Sequence, residues 1–163
     1  MATNTLDPHL IESLQQSARE ILETMVFMQP KHIAAEPEET SSFADQVIGL
    51  LGFTGTRSGT FVVRTSEDLA KQVAAKMLMM EPAEMTSFND ASDAFGEVVN
   101  MLAGNFKNTW VAGGNQMDLS VPNVIHKGTV KVQSEAEGCL RSRVRVTLDA
   151  GVLDIGVHFE AKD

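Results

Sequence analysis

One stretch, Phe88–Lys107 (FNDASDAFGEVVNMLAGNFK), constrains the fold most, because its apolar residues recur with the period of an α-helix. The apolar stripe consists of Phe88, Ala91, Phe95, Val98, Leu102 and Phe106. At about 100° per residue, a second stripe of Asp93, Glu97, Asn100 and Gly104 lies almost opposite the first. Because Glu97 and Asn100 are three residues apart, their side chains stand side by side. We therefore expect a helix that covers a core and presents a carboxylate beside a carboxamide.

Two other segments predict helices. Leu10–Met28 ends before Gln29-Pro30, since the residue before a proline avoids the helical region. Its apolar stripe is Leu10, Leu14, Ala18, Ile21, Leu22 and Met25. Ser66–Met80 begins with Ser66 as its N-cap, and Thr86 or Ser87 caps the helix that starts at Phe88.

The remaining apolar runs predict strands. Gln46–Phe53 and Gly59–Thr65 are joined by a short polar turn and predict a β-hairpin, and Lys31–Ala35 is a short strand. The C-terminal strands are Met117–Val121, Gly128–Ser134, Cys139–Leu148 and Val152–Phe159. In the last two strands apolar residues alternate with polar ones such as Arg141, Arg143, Arg145, Asp154 and His158. One face of the sheet should therefore be core and the other wet.

The chain also shows an internal repeat. With an offset of 77 residues, Ala18, Ile21, Leu22 and Met25 coincide with Phe95, Val98, Val99 and Leu102, and Gln16, Glu20 and Glu23 coincide with Asp93, Glu97 and Asn100. Each helix is followed by a short extended piece and a hairpin. We expect one α+β domain over residues 1–163, a pseudo-two-fold repeat with two long amphipathic helices on one face of a mostly antiparallel sheet.

Charge and composition exclude several classes of partner. A net charge of −9 argues against nucleic acid and anionic membranes. The N-terminus lacks the features of a signal peptide and no run approaches about 18 apolar residues, so a cytoplasmic protein is expected. Cys139 is the single cysteine, which excludes an internal disulfide and favours a buried, inert thiol.

Few catalytic patterns are present. The four histidines, His9, His32, His126 and His158, are scattered without partners at ligand spacing, so no metal site is expected. No Gly-x-Ser-x-Gly turn exists, and the glycines around Gly55 are not followed by the Gly-Lys-Ser/Thr of a phosphate loop. The arginines at 141, 143 and 145 favour a solvated strand face over a docking patch.

The spacing of the polar stripe gives the strongest functional signal. Asp93-x3-Glu97-x2-Asn100, followed by Gly104-Asn105 and then by Pro122 after 21 intervening residues, resembles the signature of the chemotaxis phosphatases of the CheC/CheX/FliY type. The length and the single intact copy of the motif point to the CheX-like branch.

The resemblance implies hydrolysis of the aspartyl phosphate on a CheY-like response regulator, which would supply the Mg²⁺; the chain would need no cofactor of its own. Asn100 suits the orientation of a water, because a neutral carboxamide is not repelled by an anionic phosphoryl group. Glu97 would anchor a lysine of the regulator. Asp93 would orient or frame the pair Glu97 and Asn100, and Gly104 would let the surface of the partner come close. With Asp93 and Gly104, Pro122 belongs to the expected partner-binding residues.

Alternatives remain open at this stage. A module of the flagellar-switch kind that binds the regulator without catalysis is the second hypothesis, and a scaffold with a merely solvated helix face is the third. Because Glu23 stands where Asn100 would be, the first helix should be catalytically silent. Resemblance and a pairing edge on the C-terminal strands predict a homodimer.

Overall fold

The computed structural model describes residues 8–35, 45–85, 87–127 and 140–160. In these ranges three helices, α1 (Pro8–Ile21), α2 (Glu67–Leu78) and α3 (Phe88–Ala112), pack on an antiparallel sheet. The strands are β1 (His32–Ala35), β2 (Val47–Gly55), β3 (Gly59–Thr65), β4 (Met117–Leu119), β5 (Asn123–His126), β6 (Leu140–Leu148) and β7 (Gly151–Phe159). This α+β architecture confirms the fold class that the sequence predicts.

The order of the strands shows the pseudo-two-fold repeat. The sheet runs β1-β6-β7-β3-β2-β4, and β5 also pairs with β2. The two hairpins, β2–β3 and β6–β7, meet at the centre through β3 and β7. Each half then gives its short strand to the other half, since β1 pairs with β6 while β4 and β5 pair with β2. The strand β7 is therefore interior, whereas β1 occupies one edge of the sheet and covers only Val144–Thr147 of β6. Within the described residues, positions 140–143 of β6 have no strand on their outer side, so the pairing edge stays a prediction.

Helix α3 follows the predicted phase. All six residues of its predicted apolar stripe are buried, and Ser87 forms a capping box with Asp90 at its start. The helix runs on to Ala112, five residues beyond the predicted end at Lys107, because no glycine or proline occurs between Lys107 and Gly113. It packs closely on β2 at Gly49, where a Cβ would lie 2.4 Å from Cγ2 of Val99. A side chain at that position would push α3 away from the sheet.

The first helix departs from the prediction at its C-terminal end. The α-helix stops at Ile21, and Leu22–Val26 continue as a π-helix that ends at Phe27 in a left-handed conformation. The wider π turn inserts one residue into the helical register. Val26 is consequently fully buried, whereas Met25, which the sequence places in the apolar stripe, is 44% exposed.

The ends of the other elements agree with the sequence within a few residues. The backbone N–H of Leu69 donates to Ser66 Oγ at 3.2 Å, so Ser66 is the N-cap of α2. The predicted strand Met117–Val121 ends early at Leu119, and β5 was not predicted. The predicted strand Gly128–Ser134 and Cys139 lie outside the described residues.

The face of the sheet opposite the helices is less exposed to solvent than the alternation of apolar and polar residues indicates. Asp154 is only 2% exposed, because the Arg145 guanidinium donates to both its carboxylate oxygens, at 2.9 and 3.1 Å. Burial and the nearby charges of Arg141 and Arg143 lower the pKa of His158 to about 4. At Asp154, therefore, a buried ion pair with Arg145 rather than water covers this face of the sheet.

Candidate functional site

The polar stripe of α3 forms one wall of a surface groove of about 540 Å³. Asp93 and Glu97 are exposed on this wall, and Asn100 is half-buried one helical turn after Glu97. The opposite wall is the chain from Leu119 to Val124, which connects β4 to β5. The structure therefore brings the motif of α3 together with Pro122, as the sequence predicts for a common site.

Among the residues that the structure describes, no other side chain binds Asp93, Glu97 or Asn100. Within the described ranges, none of them forms a hydrogen bond or an ion pair with another side chain or with a loop. A carboxylate and a carboxamide that stand unengaged in a groove can bind a cation and a water or an anion from outside. The groove is thus chemically open to a ligand.

A β-bulge forms the wall facing α3. Leu119 pairs with Phe53 and Asn123 pairs with Leu50, so three residues on this wall, Ser120, Val121 and Pro122, oppose two on β2. The extra residue disrupts the ladder locally and bends the strand. Pro122 fits here because it has no N–H to offer to the ladder. The same bulge ends the predicted strand Met117–Val121 at Leu119.

Two glycines of α3 shape the approach to the groove. Gly96 is buried, and a Cβ there would lie 3.4 Å from Cγ2 of Val124. The glycine therefore lets Val124 of β5 pack close to the helix. Gly104 is half-buried on the same stripe as Asn100, but it does not line the groove. A Cβ at Gly104 would meet no atom within 4 Å, so the space above it is open.

Sequence reasoning missed several residues of the groove. They are Ser92, Gly96, Ser120, Val121 and Asn123, together with the apolar Leu119 and Val124. The proline at 122 marked the segment, but its position opposite α3 depends on the pairing of β4 and β5 with a distant strand. Helical phase alone would have indicated Ser92 and Gly96, which lie beside Asp93 and Glu97.

The described residues contain neither a metal-binding cluster nor a membrane-spanning helix. No three side chains of His, Cys, Asp or Glu in these ranges are grouped so that they could hold a metal ion. Of the helices described, none combines the length and the apolarity needed to cross a membrane.

A comparison with protein families identifies the family of this chain. The family described as "Chemotaxis phosphatase CheX" matches residues 47–142, more than half of the chain and including the whole polar stripe. No curated protein matches the chain at a significant level.

Solved structures show the same fold. A CheC-like superfamily protein from Shewanella sp. PV-4 is 24% identical with a TM-score of 0.76, covering 96% of this chain and 100% of its own. The chemotaxis protein CheX from Desulfovibrio desulfuricans is 21% identical with a TM-score of 0.74, covering 93% and 99%. CheX from Borrelia burgdorferi, solved in a CheX–CheY–BeF3–Mg²⁺ complex, is 22% identical with a TM-score of 0.73, covering 96% and 99%.

Proposed function

The chain belongs to the CheX family of chemotaxis phosphatases, and from that premise we propose that it hydrolyses the aspartyl phosphate of a CheY-like response regulator. The observation that carries this proposal is the pair Glu97 and Asn100, which lie side by side on α3 in a groove and have no hydrogen-bond or ion-pair partner in the described part of the chain. A CheX relative was solved with CheY, BeF3 and Mg²⁺, which is the kind of partner that this groove would receive.

The chemistry is a single displacement at phosphorus. A water attacks the phosphorus atom, the bond from phosphorus to the aspartyl oxygen breaks, and the regulator regains its carboxylate while inorganic phosphate leaves. The Asn100 carboxamide oxygen accepts a hydrogen bond from this water and holds it in line with the breaking bond. Magnesium belongs to the regulator's phosphorylation site, so the chain contributes position rather than a cofactor.

The other residues of the motif recognise the partner. Glu97, exposed at the mouth of the groove, pairs with a lysine next to the phosphorylated aspartate. Asp93 lies one turn before Glu97 on the same face of α3 and frames the pair Glu97 and Asn100. Gly104 leaves open space for the regulator's surface beyond Asn100, and Pro122 fixes the facing wall.

The test is a direct assay of phosphate release. Phosphorylated response regulators are mixed with catalytic amounts of the protein, and inorganic phosphate is followed against each regulator's own rate of hydrolysis. We expect acceleration of at least one regulator. Complex formation without any acceleration would instead favour the second hypothesis, a module that binds the regulator without catalysis.

Two further properties belong to this proposal. Residues 1–163 act as one domain, and the domain forms a homodimer, as proposed from the family resemblance. Light scattering across a range of concentrations measures the mass of the assembly, and a monomer mass at all of them would contradict the dimer.

A further inference from the structure

Val121 is an exposed apolar residue at the mouth of the groove. Its side chain is 81% exposed, and it lines the groove together with Glu97 and Asn100. Single exposed apolar residues are common on protein surfaces, so exposure by itself carries no conclusion. The way in which the fold holds this valine carries the inference.

The bulge presents Val121 on a fixed backbone. The Ser120 N–H donates to the Gly52 carbonyl at 2.8 Å, and the Gly52 N–H donates to Ser120 Oγ at 2.9 Å. On the other side of Val121, the ring of Pro122 restricts the backbone, and Asn123 re-enters the ladder opposite Leu50. The backbone of Val121 is therefore anchored from both sides, although its side chain is not among the described residues that pack on the core.

A rigidly held apolar tip contributes binding energy at little cost in conformational entropy, since its backbone is already ordered and valine has one rotatable side-chain bond. Bulges beside active sites commonly re-aim a side chain in this way. The polar groups of α3 lie on the opposite wall, so a partner seated on Glu97 and Asn100 must also cover Val121.

We propose that Val121 is the apolar docking contact of the groove and packs against an apolar patch bordering the phosphorylated aspartate of the response regulator. This inference rests on the proposed function. It divides the site in two: α3 supplies the anchor and the water-orienting amide, whereas the bulge supplies apolar contact that is equal in the ground state and in the transition state. Its loss should weaken binding without slowing the chemical step.

The experiment compares Val121→Ser with a matched control, Val111→Ser. Val111 is also exposed, at 44%, but it lies near the C-terminal end of α3 outside the groove. Steady-state hydrolysis of the phosphorylated regulator gives kcat and KM, and titration with the beryllofluoride-activated regulator gives Kd. For Val121→Ser we expect KM and Kd to rise about 5- to 15-fold with kcat unchanged; for Val111→Ser neither should change. Val121→Ile keeps the apolar contact and should retain wild-type affinity.

The outcomes separate this inference from the proposed function. If the wild type hydrolyses the regulator and Val121→Ser has wild-type KM and Kd, only the inference is overturned. A fall in kcat with unchanged KM would also overturn it, because the valine would then act on the chemical step. A wild type that neither binds nor hydrolyses any phosphorylated regulator would overturn the proposed function and this inference with it.

Discussion

The two amphipathic helices that the internal repeat relates have opposite relationships with the rest of the molecule. On α1, Glu20 accepts a hydrogen bond from Asn105 Nδ2 at 2.9 Å. Glu23 accepts one from Gln29 at 3.2 Å and pairs with Arg19 at 3.6 Å. The corresponding Glu97 and Asn100 of α3 have no such partners in the described chain.

The backbones differ in the same sense. Helix α3 keeps α-helical geometry through its whole stripe, whereas α1 ends at Ile21 and a π-helix begins at Leu22, between Glu20 and Glu23. The short strands that follow the two helices also differ. The strand β1 pairs regularly with β6, whereas β4 and β5, which both pair with β2, are separated by the bulge at 120–122. In one stripe, Glu20 thus joins the two halves of the molecule through Asn105, whereas Glu97 and Asn100 of the other stripe have no such link within the described residues.

The largest effect should come from the residue that α1 lacks. If Asn100 orients the water, Asn100→Ala lowers the rate of phosphate release roughly 10²- to 10³-fold, equivalent to about 3–4 kcal/mol, and leaves Kd for the regulator nearly unchanged. Single-turnover assays and titrations measure the two quantities. A folded Asn100→Ala protein with full activity would contradict the phosphatase hypothesis.

Charge reversal at the neighbouring position tests the anchor. Glu97→Lys places a cation against the lysine that we expect on the regulator, so Kd for the regulator should rise about tenfold. The rate of hydrolysis at saturating regulator should change less than Kd does. Glu23→Lys makes the same change in the π-helix that follows α1 and serves as the control, since no contact with the regulator is expected there. Equal losses of affinity in both variants would show that the overall charge of the protein, rather than the site, determines binding.

The link between the two helices can be broken directly. Ser17, fully buried, donates to Asn105 Oδ1 at 2.9 Å, and Asn105 holds Glu20. Asn105→Ala leaves the buried Ser17 hydroxyl with only its longer hydrogen bond to the Leu102 carbonyl, at 3.3 Å, so the free energy of unfolding should fall by about 1–2 kcal/mol. Urea denaturation measures this loss. Glu97→Ala, on the unengaged stripe, should leave stability within about 0.5 kcal/mol of the wild type.

The sequence predicts the part of this contrast that depends on local periodicity. The phase of α3 follows from residues three and four apart, which is why Glu97 and Asn100 could be placed on the outer face. The pairing of the strands depends on contacts between distant segments, so β5 and the bulge at 120–122 were missed. Met25 was misplaced because the π turn is one inserted residue that no apolar pattern marks.

The outer face of the sheet was misjudged for a similar reason. Alternation indicated correctly that Asp154 points away from the helices, but it cannot indicate that a neighbouring strand places Arg145 over it. The sequence therefore predicts which face a residue occupies, whereas burial on that face depends on cross-strand partners.

A smaller effect is expected at Gly104, where stability and binding should change in opposite directions. Alanine at this helical position meets no neighbouring atom and should raise the free energy of unfolding by about 0.5–1 kcal/mol. The added methyl would occupy the space that the proposal gives to the regulator, so Kd should rise. Thermal unfolding and titration check both directions, and unchanged affinity would remove Gly104 from the partner-binding residues.

The smallest effect on catalysis is expected for a double replacement in α1 and the π-helix that follows it. Replacing Glu20 and Glu23 together by Ala removes both carboxylates that coincide with Glu97 and Asn100. Neither residue has an amide to orient a water, and a carboxylate in that place would repel the phosphoryl group. We expect phosphate release within about twofold of the wild type, even though the loss of the Asn105 bond lowers stability by about 0.5–1.5 kcal/mol. Assays well below the melting temperature separate these two effects. A tenfold fall in activity of the folded double variant would mean that α1 carries a second working site, and the contrast between the two helices would then be wrong.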